Sequence, residues 1–295
     1  MKNETKSLFI SIVGKPNAGK SSLMNLLINS KVSIVSPKPQ TTRNRITGIL
    51  TKDNTQFVFI DTPGVHKPFN RLGEYMALEI DNSFSGSELC LHVIDGVRKD
   101  IDTEIIEKLK KFGLKAILAI NKIDMLKKKT DIMEIIDKYS KLFNYDAIIP
   151  VSALTGEGRQ ELLDELESRA MPSVFYFPED DITDQTMRVL VSEIIREKLL
   201  YFLDKELPHG AAVQVEKFKE LENGNISVSA VIYCEKKTHK AIIIGSGGSM
   251  IKKIGINARK SIGEMFDCEA NLNLFVKVKE DWRDKASILH DLGYI

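Results

Sequence analysis

The chain has little cysteine, and the cysteines present form no recognisable framework. Three of its 295 residues are cysteines, and Cys90, Cys234 and Cys268 are widely spaced. Their number and spacing predict neither a disulfide scaffold nor a metal-ligand pattern. No stretch approaches the roughly 20 apolar residues of a membrane-spanning helix. The N-terminal residues also lack the features of a signal peptide. A protein of the reducing cytosol is therefore the simplest expectation.

An excess of charge of one sign is absent from the chain as a whole. Lys and Arg number 42 against 41 Asp and Glu, which gives a formal net charge of +1. This balance excludes a global electrostatic attraction to nucleic acid, so such an argument has to come from local clusters. Hydrophobic residues make up 43% of the chain and charged residues 28%, which is typical of globular proteins. The length predicts about two domains.

Short apolar runs alternate with helical patterns from the start of the chain to about residue 170. The apolar runs predict strands over residues 8–13, 45–51, 56–60, 89–95, 116–121 and 147–152. The helical patterns cover residues 20–29, 70–84, 103–112, 131–143 and 159–169. This alternation predicts an α/β fold in which a mostly parallel sheet carries helices on both faces. We assign residues 1–170 to this first domain.

A change of composition at residues 171–186 interrupts the alternation. The segment holds two prolines, three consecutive aromatic residues and an acidic cluster, and we interpret it as a linker. Residues 187–295 follow with a different order of elements and predict an α+β module. Its helices are predicted at 185–203, ending at 241–244 and ending near 266, and its strands at 211–219, 225–234 and 272–279.

One stretch near the N-terminus matches the phosphate-loop pattern G-x-x-x-x-G-K-[ST] between a predicted strand and a predicted helix. It consists of Gly14, Lys15, Pro16, Asn17, Ala18, Gly19, Lys20 and Ser21. The glycines let main-chain N–H groups surround phosphates. Lys20 is expected to reach the β- and γ-phosphates, and the Ser21 hydroxyl to bind Mg²⁺. The stretch therefore predicts a nucleotide-phosphate site.

Two loops are expected to complete this site as switches. The second predicted switch consists of Asp61, Thr62, Pro63, Gly64 and Val65. Asp61 follows an apolar strand and suits a Mg²⁺ partner acting through water. The first predicted switch consists of Gln40, Thr41, Thr42, Arg43 and Asn44. A threonine there would bind Mg²⁺ when a γ-phosphate is present, and Thr41 and Thr42 are both candidates.

A guanine-reading motif follows the strand predicted at 116–121. It consists of Asn121, Lys122, Ile123 and Asp124. The carboxylate of Asp124 offers acceptors to N1–H and N2–H₂ of guanine, which adenine does not match. Asn121 can tie this loop to the phosphate loop. A third segment, expected to offer a main-chain N–H to guanine O6, consists of Ser152, Ala153 and Leu154.

These motifs together resemble the translation-factor-type GTPases. In the second half, the Gly-rich stretch 243–255 resembles the G-x-x-G region of a KH RNA-binding domain. The combination resembles the Era family of bacterial GTPases over nearly the whole chain. The resemblance implies a type II KH domain, Mg²⁺, GTP and GDP as ligands, and slow GTP hydrolysis. It further implies binding near the 3′ end of small-subunit ribosomal RNA and a role in 30S subunit biogenesis.

The same resemblance bears on location and on catalysis. It implies a cytoplasmic protein with peripheral contact to the inner membrane, and a monomer is expected. Val65 stands where well-known small GTPases carry a water-positioning glutamine. Asn17 resembles an asparagine that helps to hold potassium in related GTPases. We therefore expect K⁺, or a partner surface, to supply the missing charge stabilisation.

The expected RNA site combines a close-approach loop with nearby basic residues. A G-x-x-G loop clamps about four nucleotides of a single strand. No acidic residue occurs between positions 240 and 263. The predicted RNA-binding residues are Gly245, Ser246, Gly247, Gly248, Lys252, Lys253, Arg259 and Lys260, with Lys240 close by.

Two other functions compete with a GTPase switch. The first is a phosphate-loop ATPase or kinase, against which Asp124 argues. The second is an RNA chaperone or assembly scaffold whose nucleotide site is largely structural. The apolar residue at position 65 keeps this second function open, because it removes the usual water-positioning group.

Overall fold

The computed structural model describes residues 4–65, 67–98, 100–128 and 130–294. These described residues group into two compact units. The first unit is bounded by Met1–Lys67 and Met76–Asp184, and the second by Pro68–Tyr75 and Gln185–Ile295. No helix in the described ranges is long and apolar enough to cross a membrane.

The first unit is built around a mostly parallel sheet. Its strands are β1 (Lys6–Val13), β2 (Ile46–Lys52), β3 (Thr55–Asp61), β4 (Leu89–Asp95), β5 (Ala116–Asn121), β6 (Ala147–Pro150) and β7 (Met171–Pro172). The spatial order is β2-β3-β1-β4-β5-β6, and β7 pairs with β1. Strands β3, β1, β4, β5 and β6 are parallel, whereas β2 and β7 pair in the antiparallel sense. The predicted sheet is therefore present, with an antiparallel edge strand.

Helices cover both faces of this sheet. They are α1 (Lys20–Ile28), α2 (Arg71–Ser85), α3 (Thr103–Phe112), α4 (Thr130–Ser140) and α5 (Arg159–Glu167). One apolar core joins the sheet to α1 and α5, with Leu23 and Leu162 among its buried residues. The opposite face packs against α3, α4 and the part of α2 in this unit, through residues that include Phe84, Leu109 and Tyr139.

Burial along the strands follows their position in the sheet. All of β5 is buried, because helices cover a central parallel strand on both faces. The edge strand β6 is only half-buried along its length. It ends at Pro150, two residues before the predicted end at 152. Beyond it the chain turns, and the N–H of Ser152 donates to the carbonyl of Glu157 at 2.9 Å.

The segment interpreted as a linker makes specific contacts with the first unit. The side chain of Gln56 accepts from the N–H groups of Tyr176 and Phe177 at 2.8 and 3.1 Å. The N–H of Ile49 on β2 donates to the carbonyl of Ile182 at 2.9 Å. The segment thereby pairs with an edge strand, and the first unit extends to Asp184. The domain boundaries at 170 and 186 stay predictions.

The second unit has the element order expected of the predicted α+β module. Its elements are α6 (Met187–Phe202), β8 (Ala211–Glu220), β9 (Ile226–Cys234), α7 (Lys237–Ile244), α8 (Ser249–Phe266), β10 (Ala270–Val278) and α9 (Ala286–Asp291). Its sheet has the order β10-β9-β8, with β9 and β10 parallel and β8 and β9 antiparallel. Helices α6, α7 and α8 bury Ile194, Ile243 and Ile254 against it.

Candidate functional site

The predicted phosphate loop connects the end of β1 to the start of α1 and is tightly packed at its two glycines. A Cβ at Gly14 would lie 2.2 Å from the carbonyl oxygen of Val93. Gly19 has a φ of +93°, which side chains rarely adopt, and a Cβ there would lie 2.2 Å from Nδ2 of Asn121. Glycine at both positions therefore lets β4, β5 and the loop approach one another.

The side chain of Lys20 lies beneath this loop. It is buried, and its Nζ donates to the carbonyl oxygens of Gly14 and Lys15 at 3.0 and 3.2 Å. Burial lowers the pKa of Lys20 to about 8, while the charges of Asp61 and Asp102 act in the opposite sense. Anionic phosphates beside the loop would stabilise the ammonium form, as a phosphate-binding lysine requires.

Three oxygen-bearing side chains from separate motifs converge next to Lys20. The hydroxyl of Ser21 donates to Oδ2 of Asp61 at 2.6 Å. The hydroxyl of Thr42 lies 3.0 Å from that of Ser21 and 3.4 Å from the same carboxylate oxygen. The phosphate loop and both predicted switches thus meet at one point, although they lie far apart in the sequence.

This oxygen cluster fits Mg²⁺. Oδ1 of Asp61 is buried and has no hydrogen-bond partner among the described residues. Burial raises the pKa of Asp61, while the charge of Lys20 and the neighbouring hydroxyls oppose that rise. Carboxylate and hydroxyl oxygens are the hard ligands that Mg²⁺ prefers. Within the described ranges, no group of three or more His, Cys, Asp or Glu side chains forms a separate metal site.

The structure distinguishes the two candidate threonines. Thr42 is buried beside Ser21 and Asp61, whereas the hydroxyl of Thr41 donates to the carbonyl of Lys38 at 2.7 Å. The geometry therefore favours Thr42 as the residue that would approach a metal. Gln40 in the same loop has a left-handed backbone, with a φ of 56°.

The remaining predicted switch residues pack against or bond to other parts of the first unit. Arg43 is buried, and Asn44 is half-buried. The hydroxyl of Thr62, which precedes Pro63, donates to the carbonyl of Ile12 at 2.8 Å. A Cβ at Gly64 would lie 2.8 Å from Pro16 of the phosphate loop.

Val65 belongs to the apolar core. It is buried together with Val13, Ile80 and Phe84. Its N–H donates to the carbonyl of Gly14 at 3.3 Å. An apolar side chain packed in this way cannot orient a water molecule as a glutamine does.

Asn121 forms the predicted link between the guanine-reading loop and the phosphate loop. Its Nδ2 donates to the carbonyl of Ala18 at 2.8 Å, and its Oδ1 accepts from the N–H of Ala153 at 2.9 Å. One buried amide therefore positions three motifs. The N–H groups of Ser152 and Ala153 both have partners inside the protein, and a contact of this segment with guanine O6 stays a prediction.

The other guanine-reading residues are also held by neighbours. Asp124 follows Ile123 in a short 3₁₀ turn, and its Oδ1 accepts from the hydroxyl of Ser152 at 2.5 Å. Lys122 has a φ of 67°, and its Nζ donates to Asp95 at 2.7 Å. Leu154 is strongly exposed. Ser152 thus orients the carboxylate that is expected to read the base.

Some residues at this site lie outside the recognisable sequence motifs. The hydroxyl of Ser33 donates to Oδ2 of Asp61 at 2.8 Å, and Asn25 holds the backbone of Ser33 at 2.7 and 2.9 Å. Asp100 and Asp102 contact Lys15. The sequence motifs indicate none of these contacts, and those of Asp61 with Ser33 and of Lys15 with Asp100 depend on the folding of distant segments against each other.

The second unit contains a cleft between α8 and β10. Its volume is about 310 Å³, and it is lined by Ile251, Lys252, Gly255, Ile256, Arg259, Leu272, Asn273 and Leu274. The floor is mostly apolar and the rim is basic. Such a combination suits single-stranded nucleic acid, since bases pack on apolar surface while cations bind phosphates.

The predicted G-x-x-G loop precedes the first turn of α8. Gly245, Gly247 and Gly248 all have positive φ values, and Ser246 begins a short 3₁₀ turn. A Cβ at Gly245 would lie 2.8 Å from Met250. The loop therefore has a compact backbone that side chains would disturb.

The four predicted basic residues of α8 divide between two faces. Lys252 and Arg259 line the cleft, and both are exposed. Lys253 instead places its Nζ 4.6 Å from the ring centre of Phe202. Lys260 lies 3.7 Å from Glu264. The cleft thus brings together two of these predicted cations and not the other two.

Comparison with known proteins agrees with this geometry. A family model described as 50S ribosome-binding GTPase matches residues 9–122, and a KH domain model matches residues 206–283. The GTPase Era of Clostridioides difficile (strain 630) is 45% identical over 292 residues, which are 98% of each protein. The GTPase Era of Clostridium botulinum (strain Okra / Type B1) is 46% identical over the same share. The predicted fold class, a GTPase domain followed by a KH domain, is confirmed.

Two solved structures align over almost the whole chain. One is an Aquifex aeolicus Era variant bound to GDP·AlF4⁻, and the other is Era in complex with MgGDPNP and nucleotides 1506–1542 of 16S ribosomal RNA. Each has a TM-score of 0.94 and 34% identity, and covers 98% of this chain and 99% of that chain. The resemblance inferred from the motifs is confirmed: the chain belongs to the Era family of GTPases.

Proposed function

We propose that this protein is a GTP-hydrolysing molecular switch that binds small-subunit ribosomal RNA near its 3′ end and assists 30S subunit biogenesis. The observation that carries the switch is the meeting of Ser21, Thr42 and Asp61 beside the buried Lys20. Thr42 belongs to the first predicted switch, and its hydroxyl contacts Ser21 of the phosphate loop. Through this contact a bound γ-phosphate can order the switch.

The residues divide the work of the site between them. Ser21, Thr42 and Asp61 would hold Mg²⁺. The bound ion would neutralise charge that develops on the phosphates. Lys20 binds the β- and γ-phosphates. Asp124, oriented by Ser152, reads guanine. The fixed donors and cations act as a preorganised electrostatic environment for phosphoryl transfer.

Single-turnover hydrolysis tests the nucleotide part of the proposal. Purified protein is mixed with labelled GTP and Mg²⁺, and competition by unlabelled GTP and ATP is compared. We expect competition by GTP alone, and loss of binding and turnover in Lys20→Ala. The matched control is Lys115→Ala, which removes an exposed lysine from the same unit. Equal competition by ATP would instead indicate an ATPase or kinase.

The cleft of the second unit supports the RNA part. Its apolar floor and the basic side chains of Lys252 and Arg259 suit bases and phosphates of a single strand. The Era relative in complex with nucleotides 1506–1542 of 16S ribosomal RNA supports the choice of RNA. Fluorescence anisotropy with a single-stranded 3′-end RNA, a scrambled RNA and a duplex tests it. Equal affinity for all three would refute selective binding of this RNA.

We propose that the protein uses K⁺ as a cofactor, because it lacks a water-positioning glutamine. Nδ2 of Asn17 donates to the carbonyl of Pro37 at 2.9 Å, and this hydrogen bond fixes the orientation of the amide. An amide oxygen is a hard ligand suited to an alkali cation beside the phosphates. GTP turnover is measured in K⁺ and in Na⁺, with wild type and Asn17→Ala. Identical rates in the two salts would remove potassium from the mechanism.

A scaffold with a structural nucleotide site is the second candidate, and the buried Val65 favours it. No hydrolytic side chain is supplied at that position. Under this alternative, bound GTP persists even when 30S subunits are added. Turnover stimulated by those subunits would exclude it and would support a partner surface as the missing catalytic element.

We further propose a cytoplasmic monomer with peripheral contact to the inner membrane. The free state of Cys90, Cys234 and Cys268 supports a reducing compartment. The family resemblance supports the membrane contact. Light scattering tests the oligomeric state, and flotation with anionic vesicles tests the membrane contact. A protein that stays at the bottom of the gradient with vesicles present would refute it.

A further inference from the structure

The second residue of the phosphate loop is held by a cluster of acceptors that its motif does not require. Nζ of Lys15 lies 2.6 Å from Oδ2 of Asp100, 3.0 Å from Oδ1 of Asp102 and 3.1 Å from the carbonyl oxygen of Ile101. These acceptors follow β4 and immediately precede α3. The phosphate loop is therefore tied to a neighbouring loop through a charged side chain.

The two carboxylates in this cluster differ in their surroundings. Asp100 is 59% exposed, so water screens its ion pair with Lys15. Asp102 is 4% exposed, and its second oxygen lies 3.4 Å from Nε2 of His92. The main-chain N–H of Asp102 also donates to the hydroxyl of Tyr139 at 3.2 Å. Asp102 is thus the fixed member of the pair.

His92 orients Asp102 from inside the sheet. It is fully buried on β4, and its Nδ1 lies 2.8 Å from the hydroxyl of Tyr145. Burial lowers the pKa of His92, so the imidazole is neutral near pH 7. With the Tyr145 hydroxyl donating to Nδ1, the proton of the imidazole lies on Nε2 and faces Asp102.

The side chain of Asp102 makes these contacts instead of capping α3. Asp102 occupies the N-cap position of α3, yet its side chain makes no cap hydrogen bond. Thr186, at the N-cap of α6, does accept from the N–H of Val189. A capping aspartate stabilises the helix that it begins. Both oxygens of Asp102 are instead directed at Lys15 and His92.

We propose that Asp102, oriented by His92, is a positioning residue that holds Lys15 and thereby fixes the phosphate loop for nucleotide binding. The inference rests on the proposed nucleotide site. The loop contains left-handed backbone at Asn17 and Gly19, with φ values of 65° and 93°. A tether on such a loop reduces the conformational freedom that nucleotide binding would otherwise have to remove.

The sign of the effect separates positioning from simple electrostatics. Asp102 is negatively charged and lies close enough to influence the pKa of Lys20. If it acted only through its charge, its removal would strengthen the binding of an anionic nucleotide. A positioning role predicts the opposite, because a released Lys15 leaves the loop less ordered.

The experiment measures GDP dissociation constants in Asp102→Asn and Asp100→Asn. Because the side chain of Asp102 makes no cap hydrogen bond, α3 is expected to persist in Asp102→Asn. We expect GDP affinity to fall by about tenfold in Asp102→Asn, which is about 1.4 kcal/mol. We expect the matched control Asp100→Asn, which removes the same charge at an exposed position, to bind as tightly as wild type or more tightly. Equal or tighter binding by Asp102→Asn would overturn the inference.

A double-mutant cycle with Lys15→Met excludes a merely structural role. If Asp102 acts through Lys15, the Asp102→Asn change should alter GDP affinity by less than about twofold once Lys15 is methionine. A tenfold loss that persists in the Lys15→Met background would refute positioning and indicate general destabilisation. Asp102→Ser, which can cap α3 without a carboxylate, should remain folded while binding GDP weakly. Failure of the wild type to bind GDP would instead refute the proposed function.

Discussion

Gly19 is the point at which the phosphate loop touches the guanine-reading loop, and Gly19→Ala tests that contact. The substitution places a Cβ 2.2 Å from Nδ2 of Asn121. Asn121 would have to move, and its hydrogen bond to the carbonyl of Ala18 would be lost. The two loops would then separate, and both of them are proposed to bind the nucleotide.

The size of the effect follows from two separate costs. A non-glycine residue in the left-handed region at φ +93° costs about 1–2 kcal/mol. Leaving the buried amide of Asn121 without its acceptor costs about 1–3 kcal/mol. Together these costs are about 2–5 kcal/mol, of which the part expressed in binding should weaken GDP about a hundredfold. Titration with a fluorescent GDP analogue measures the affinity, and circular dichroism measures the loss of thermal stability.

Gly113→Ala provides the matched control within the same unit. Gly113 follows α3 with a φ of 62°, and a Cβ there would meet no described atom within 4 Å. This variant therefore carries the backbone cost without the collision. We expect it to lose about 1 kcal/mol of stability and to bind GDP normally. Wild-type affinity in Gly19→Ala, or an equal loss in Gly113→Ala, would refute the argument from the Asn121 contact.

Two further predictions concern the cleft of the second unit and the cysteines. Replacing both Lys252 and Arg259 should reduce the slope of log RNA affinity against log salt concentration by about 1.4. Lys253→Ala should leave this slope unchanged. A reduced slope in Lys253→Ala alone would contradict the assignment of the cleft as the RNA site. Burial raises the pKa of Cys90 to about 12, so its thiolate fraction at pH 8 is about one in ten thousand. Native alkylation followed by mass spectrometry should therefore modify the half-buried Cys268 and leave Cys90 intact, and early labelling of Cys90 would contradict that burial.

The elements that the sequence predicts best are those whose pattern is local. The bounds of β4, β5 and α3 agree with prediction because continuous apolar runs and a terminal glycine mark them. The sequence patterns do not predict the two-residue strand β7 or the six-residue helix α9. Elements this short span fewer than two periods of a hydrophobic pattern, so no repeat marks them, and they form because neighbouring segments hold them. For the same reason the sequence does not predict how the segment 171–184 contacts the sheet, since no pattern within it indicates its hydrogen bonds to Gln56 on β3 or to Ile49 on β2.

The residues of the candidate site also differ in how directly the sequence indicates them. Lys20, Ser21 and Asp61 occur in contiguous motifs whose spacing reflects a single turn of backbone, so the sequence indicates them directly. The choice of Thr42 over Thr41 depends on which hydroxyl the folded loop presents, and adjacent identical residues give no means of choosing. Asp102 is a stronger case, because it occupies the N-cap position of α3 while its carboxylate contacts Lys15 from the distant phosphate loop.

The arrangement of the motifs follows from the sheet rather than from their spacing. The phosphate loop follows β1 and the guanine-reading loop follows β5, and the carboxyl ends of parallel strands meet at one edge. The two strands are nevertheless separated by β4, so their loops need a side chain long enough to span the gap. Asn121 does this with both ends of its amide, towards Ala18 on one side and Ala153 on the other. An aspartate could accept from Ala153 but could not donate to Ala18, and an apolar residue could do neither. Because that donor is required, the asparagine of the guanine-reading motif is explained by the loops it joins.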